Sequence, residues 1–377
     1  MNQKSYFGVN STEHLSQILL DQKVKNIFLV TSKNSFETSG ARKIIMSLVA
    51  PYKVEVFNDF SINPSEDDLL KGVMKYREHT SSVIIAVGGG SVIDVAKLIS
   101  LFADKPEQIS EVSYGASIEK TSAVPVIAVP TTAGSGSEST HFAVLYIKGK
   151  KYSCADKKML PEYAIVDPQF LFSSPWEVTA ASGVDAFCQS IESWWSVNSS
   201  KESLLLSENA FKLLYKNLYL ACGGDKDALV NIAQGSHSAG KAINITKTTL
   251  AHALSYPLTS RYKIPHGKAV ALFLPEVFMF NLGVTLNSCS DPRGYLYVRN
   301  LVEQMGSFIT GSKNALYADS LKSFFESIQV STRLRDYGIS IADAKNAILD
   351  EYSAERAMNN PRLATVEDIV EIIHKIA

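Results

Sequence analysis

Two histidines, His252 and His266, bracket the stretch HALSYPLTSRYKIPH, in which a helix-like run (LAHAL) gives way to a proline and a polar, basic turn (TSRYK). Upstream, in DAFCQSIES, Asp185 and Gln189 stand four apart and project from one face if the segment is helical. Imidazole nitrogen and carboxylate oxygen together suit a divalent transition metal with open positions, iron(II) or zinc. A lone histidine is more often a satisfied core or surface residue. This chain has only seven, however, and two of them bracket a turn marked by glycine and proline. Spacing alone leaves a metal site and a pair of packed histidines equally open.

A second set of candidates lies in the first half. GGGSVIDVAK (88–97) sets three glycines and Ser91 between an apolar run and a helical pattern. Glycine lets the backbone approach a pyrophosphate closely, and a helix N-terminus offers free N–H donors. Asp94, in the first turn of that helix, is suited to orient the loop rather than to touch phosphate. The motif is not the GxGxxG fingerprint, and a plain tight turn accounts for it equally well. The next apolar run, PVIAVPTTAGSGSE, ends in Thr131, Thr132 and Ser137, whose hydroxyls suit phosphate and ribose. Two polar turns after successive buried strands favour a nicotinamide cofactor across that edge.

The elements that must hold these turns follow a rhythm. NIFLVTS (26–32), YKVEVFNDF (52–60), SVIIAVGGG (82–90) and the run at 125–130 read as strands. KIIMSLV, SEDDLLKGVMKYREH (with Ser65 as its cap) and SVIDVAKLISLFA read as the helices between and after them. This alternation predicts a mostly parallel, doubly wound sheet, with ligands outside the carboxyl ends of its strands. Residues 143–167 predict a hairpin (AVLYIKGKKYSCA) and one last strand (YAIVD). Beyond Pro168 the patterns are long and helical, broken at Gly223-Gly224, Asp291-Pro292 and Asn360-Pro361. The expected organisation is an α/β, Rossmann-like domain over 1–173 and an all-α domain over 174–377.

Composition narrows the class. The 377 residues exceed one ordinary core. With 46% hydrophobic and 20% charged residues the chain reads as soluble and globular. A formal net charge of -1 gives no general pull toward nucleic acid or a membrane surface. An acidic substrate therefore needs a local cationic cluster. The four cysteines are scattered, with no CxxC pair, and read as thiols of a reducing cytosol. No apolar run reaches the length of a membrane span, and the N-terminus lacks a signal-peptide core, so a cytoplasmic location is expected.

In order along the chain, GGGSVIDVAK, VPTTAGSGSE, GVDAFCQSIES, LAHAL and IPHG resemble the iron-containing (group III) alcohol dehydrogenases. The resemblance covers nearly the whole chain, including NPRLATVEDI near its end. It implies the dehydroquinate synthase-like architecture: a Rossmann-like NAD(P) domain, a helical domain and a metal, Fe2+ or alternatively Zn2+, in the cleft between them. At matching positions it implies that Gly89, Gly90, Ser91, Thr131 and Thr132 line the dinucleotide, with further contacts from Asn63 and Lys151. It implies metal ligation by Asp185, His252 and His266. A homo-oligomer, a small-molecule substrate and no nucleic-acid or membrane partner are expected.

The departures from the family pattern carry as much. Its fourth ligand is usually a histidine, here Gln189, which can coordinate only through a neutral amide oxygen. Tyr256 stands where a further histidine is common, so the product's proton is expected from water, a cofactor hydroxyl or Tyr256, beside the catalytic His252 and His266. Ser32, next to Lys33, replaces the acid of NAD-preferring members, which makes NADPH acceptable beside NADH. INITKTTLAHALSY resembles the branch that reduces phosphonoacetaldehyde. Lys247, flanked by Thr246, Thr248 and Thr249, is expected to hold the phosphonate, with Arg261 nearby in sequence. The expected activity is NAD(P)H-linked reduction of a small anionic aldehyde. A general short-chain alcohol or lactaldehyde dehydrogenase, a cyclase of the dehydroquinate synthase kind and a nucleotide-sensing module without turnover are the competing readings.

Overall fold

The computed structural model describes residues 3–79, 81–114, 123–312 and 316–377. The chain divides into two compact units, one of Met1–Pro175 with Gly224–Gly240, the other of Trp176–Gly223 with Lys241–Ala377.

The first unit is built on a six-stranded, all-parallel sheet. Its strands are β1 (Lys4–Phe7), β2 (Asn26–Thr31), β3 (Lys53–Phe57), β4 (Val83–Gly88), β5 (Val126–Pro130) and, beyond a hairpin of β6 (Phe142–Ile147) and β7 (Lys150–Ala155), β8 (Tyr163–Val166). The order across the sheet is β1-β8-β5-β4-β2-β3. Successive side chains of a strand point to opposite faces, and here both faces are covered. Phe28, Val30, Ile84, Ala86 and Ala128 meet α4 (Glu66–His79) and α5 (Gly90–Phe102) on one side. Ile27, Leu29, Ile85, Val87 and Val129 meet α1 (His14–Asp21), α2 (Ser35–Thr38) and α3 (Ala41–Val49) on the other. Burial on both faces explains why the central strands read as unbroken apolar runs. Ser65 caps α4 as its sequence suggests, accepting from the Asp68 amide at 3.1 Å. β1 is different. KSYF is short, polar and largely exposed, and it becomes a strand only through its ladder with β8, from Lys4↔Tyr163 to Phe7↔Val166.

The second unit is helical. Its helices are α6 (Trp176–Trp195), α7 (Lys201–Cys222), the end of α8 (Lys226–Thr246), α9 (Leu250–Tyr262), α10 (His266–Leu282), α11 (Tyr295–Thr310), α12 (Tyr317–Ser327), α13 (Ile341–Glu351), α14 (Ala354–Ala357) and α15 (Val366–Lys375). α10 packs on both α6 and α9, and this trio carries the site below. The TSRYK segment is not the turn that its polarity suggests. α9 runs through Pro257 to Tyr262 and ends at Lys263, which is left-handed at φ 59. Proline lacks the N–H that would bond the carbonyl four residues back. That carbonyl, of Ala253, instead accepts from the Ser353 amide at 3.2 Å, so the helix continues without an orphaned acceptor. The four cysteines are free thiols. Among the described residues no helix is long and apolar enough to cross a membrane.

Candidate functional site

In the first unit the chain reverses direction across the sheet between β2 and β4. Ligands of open α/β sheets sit outside the strand ends at such a reversal. A cavity of about 460 Å³ lies there, lined by loops that follow β2, β3, β4 and β5, among them Ser32, Ile62, Gly89, Gly90, Ser91 and Thr132. α5 begins at Gly90, so its N-terminal amides open at this cavity. Both glycines lie close to the neighbouring turn, Gly90 the more tightly. A Cβ on Gly90 would lie 2.5 Å from Ser135 Oγ, and one on Gly89 would lie 3.3 Å from Thr132 Oγ1. At the β2 end, Ser32 and Ser35 share a hydroxyl hydrogen bond, and Lys33 pairs with Asp59 at 3.0 Å in an exposed position.

The other cofactor candidates sit away from the lining. Thr131 is buried behind it, its amide donating to the Gly88 carbonyl at 3.0 Å. Asp94 accepts from the Ser137 hydroxyl and from the Val144 amide, so it orients the turn, and Ser137 is engaged beneath rather than in the cavity. Asn63 and Lys151 are brought into one neighbourhood by the main chain. Lys151 lies opposite Tyr146 in the hairpin, and the Tyr146 amide donates to Pro64 at 2.9 Å.

In the second unit three candidates converge. One ligand atom from each of Asp185, His252 and His266 falls within 4.8 Å of the others. Asp185 and Gln189 share a face of α6 and are 6% and 3% exposed. Gln189 Oε1 is a buried oxygen that accepts no hydrogen bond among the described residues. His252 lies in the first turn of α9 and His266 opens α10, their rings 5.4 Å apart. His252 Nε2 is 3.2 Å from Asp185 Oδ1, and Thr259 Oγ1 is 3.4 Å from His266 Nδ1. The ring of Tyr256 is 6.0 Å from that of His266. One carboxylate and two imidazoles, convergent and mostly buried, fit a divalent transition metal such as iron or zinc. Gly267 permits the approach. A Cβ there would lie 2.1 Å from the Ala181 carbonyl oxygen and 2.8 Å from the Asp185 amide.

Sequence reasoning misses Glu192. It is fully buried on α6, three residues beyond Gln189, and its carboxylate holds the start of α9. It accepts from Thr249 Oγ1 at 2.7 Å and from the Ala251 amide at 2.9 Å, and it pairs with His252 Nδ1. Trp195 Nε1 donates to the same Thr249 hydroxyl at 3.1 Å. With Nδ1 engaged, Nε2 is the nitrogen that faces Asp185, the arrangement of a carboxylate-oriented metal ligand. Burial works to discharge the imidazole, yet Glu192 and Asp185 outweigh it and raise its pKa to about 9. The pocket favours a cation between its two carboxylates. The signal was present in the spacing: 185, 189 and 192 follow one face of a helix.

The substrate candidates stand nearby in sequence but have partners. Lys247, left-handed at φ 59, bridges α8 and α9 and pairs with Glu355 at 3.0 Å. Thr248 is buried, its carbonyl accepting from Asn359 Nδ2 at 3.0 Å. The Arg261 guanidinium is taken up by Asp350 and Glu351.

Comparison with known proteins bears on both sites. Residues 2–168 match the model of the iron-containing alcohol dehydrogenases, and residues 179–377 match that of the C-terminal region of the Fe-containing alcohol dehydrogenase family. Long-chain-alcohol dehydrogenase 1 of Geobacillus thermodenitrificans is 31% identical, over 86% of this chain and 82% of its own. Phosphonoacetaldehyde reductase of Streptomyces viridochromogenes is 30% identical, over 78% and 75%. The crystal structure of sulfoacetaldehyde reductase from Bifidobacterium kashiwanohense in complex with NAD+ superposes with a TM-score of 0.85 at 28% identity, over 100% of this chain and 97% of the other.

Proposed function

The chain belongs to the iron-containing alcohol dehydrogenases, and from that premise we propose that it reduces a small anionic aldehyde, phosphonoacetaldehyde, to 2-hydroxyethylphosphonate with NAD(P)H. Two of its relatives are named for aldehydes that carry a tetrahedral anion, one a phosphonate and one a sulfonate. The observation that carries the reading to this chain is Lys247. Its left-handed backbone closes the short link between α8 and α9, five residues before His252. A lysine is thereby placed just before the helix that bears His252. It pairs with the exposed Glu355, a contact that a doubly charged substrate could displace. Arg261, already neutralised by two carboxylates, has less to offer an anion.

In this reading Asp185, His252 and His266 hold the metal, with Gln189 as a fourth, neutral ligand. Bound there, the metal supplies Lewis acidity to the carbonyl oxygen while the nicotinamide supplies hydride. Glu192 fixes the tautomer and direction of His252. Tyr256 is the candidate proton carrier beside His266. The Gly89–Ser91 turn and Thr132 receive the pyrophosphate, and Ser32 faces the adenosine ribose.

The substrate claim is tested by one comparison. A charge-assisted hydrogen bond is worth about 1.5–3 kcal/mol, so Lys247→Met is expected to lower kcat/KM for phosphonoacetaldehyde roughly ten- to a hundredfold. Turnover of propanal, which needs the same metal and cofactor, is expected to change little. Equal losses on both substrates would assign Lys247 to structure. A native preference for propanal would return the protein to the general short-chain alcohol dehydrogenases, the reading favoured by the existing Lys247–Glu355 pair.

The cofactor claim has its own test. With a serine at position 32, NADPH is expected to serve at least as well as NADH. Ser32→Asp is expected to shift the ratio of kcat/KM toward NADH, since a carboxylate repels the 2′-phosphate and can accept from the ribose hydroxyls. Strong NADH selectivity in the native enzyme would contradict the assignment.

A further inference from the structure

A neutral imidazole offers a metal ion one ring nitrogen while the other holds the proton, and the partner of that other nitrogen decides which is which. For His252 the partner is Glu192. His266 opens its helix and is the least buried of the three convergent residues, so packing orients it least. The group that meets its Nδ1 comes from the end of α9. Because that helix continues through Pro257, Thr259 stands on it and not in a turn. Thr259 lies seven residues beyond His252, two helical turns on, and therefore on the same face. It is buried, and its Oγ1 is 3.4 Å from His266 Nδ1.

A second contact gives this bond its direction. Thr259 Oγ1 also donates to the Ser255 carbonyl at 3.3 Å, one turn back. A hydroxyl has a single hydrogen, and a carbonyl can only accept. With its hydrogen given to Ser255, the threonine has only a lone pair to offer His266. Nδ1 must then be the donor, which leaves the lone pair of Nε2 for an ion. The bond to Ser255 also confines the threonine rotamer, already stiff because its Cβ is branched. Charge explains why a hydroxyl suits this position. His252 already lies between the carboxylates of Asp185 and Glu192. A third carboxylate beside the cluster would add repulsion among like charges, whereas threonine sets the tautomer without one.

We infer that Thr259 is a positioning residue for the metal: it holds His266 as the Nδ1-protonated tautomer, with Nε2 turned to coordination. The inference rests on the reading of Asp185, His252 and His266 as metal ligands.

Two conservative variants test it. Thr259→Val keeps the branched shape and deletes the hydroxyl, while Thr259→Ser keeps the hydroxyl and deletes the methyl. Zinc-loaded protein is titrated with a chromophoric chelator, and the thermal unfolding of the metal-free protein is followed beside it. One neutral hydrogen bond is at stake, so the valine variant is expected to bind zinc roughly three- to tenfold more weakly. The serine variant should stay within about twofold of the parent. The metal-free valine variant is expected to unfold within a few degrees of the parent, and its calorimetric affinity for NADH should be unchanged. Parental zinc affinity in the valine variant overturns the inference. Equal losses in the valine and serine variants also overturn it, because they assign the effect to packing of the methyl group. If the valine variant does not fold, Thr259→Ala takes its place in the same comparison with serine. A parent that holds neither zinc nor iron overturns the ligand reading itself, which is a separate failure.

Discussion

Replacing His252 by alanine is expected to lower kcat/KM for any aldehyde about a thousandfold or more, because the group that stabilises developing charge on oxygen is lost with the metal. His252 is one of two imidazoles in the convergent set, and it lies between two buried carboxylates. Its removal leaves Asp185 with a single imidazole partner for the ion. Elemental analysis of the purified variant should find little iron or zinc, while circular dichroism should find the helices intact. The helices stand on a wide apolar core that includes Trp195, Phe187, Phe273 and Phe278. A variant with parental metal content and turnover would remove His252 from the ligand set.

The next largest effect is expected at Glu192. Removing one member of a buried charged pair typically costs about 3–5 kcal/mol, since the other is left without compensation. Glu192→Ala also strips the acceptor from Thr249 and from the first amides of α9, so it should destabilise the fold in chemical denaturation by about that amount. Glu192→Gln keeps the shape and one oxygen but loses the charge. It should therefore cost less stability and yet weaken metal binding roughly ten- to a hundredfold in a chelator competition. Parental metal affinity in the glutamine variant would show that Glu192 builds α9 without tuning the ion.

What could be read from the sequence follows from what each signal is made of. The buried strands declared themselves because both faces of the central sheet are covered, which leaves apolar runs such as VIIAV. Residue type and spacing singled out Asp185, His252 and His266 but left a metal site open, and it was the family resemblance that implied them as a ligand set; the fold brings one ligand atom of each within 4.8 Å of the others. β1 was not legible, since its pairing with β8 is made more than a hundred and fifty residues away and leaves no trace in KSYF. Nor was the continuity of α9. The partner that rescues its proline, the Ser353 amide, comes from a distant segment. Glu192 was passed over for a related reason. A charged residue in a helical pattern reads as a solvated face, and its spacing from Asp185 and Gln189, which puts it on their face of α6, was not used.

Gly267 has a consequence for how the metal-ligand cluster behaves as a receptor. Where a side chain would stand, the backbone of α10 meets the backbone of α6 directly, at the Ala181 carbonyl and the Asp185 amide. The backbones that carry His266 and Asp185 are thus set directly against each other. A main-chain contact of this kind has almost no conformational freedom left to lose. The backbone entropy of bringing these two residues together is given up when the helices fold, and only their side-chain rotamers are left to be ordered by a ligand.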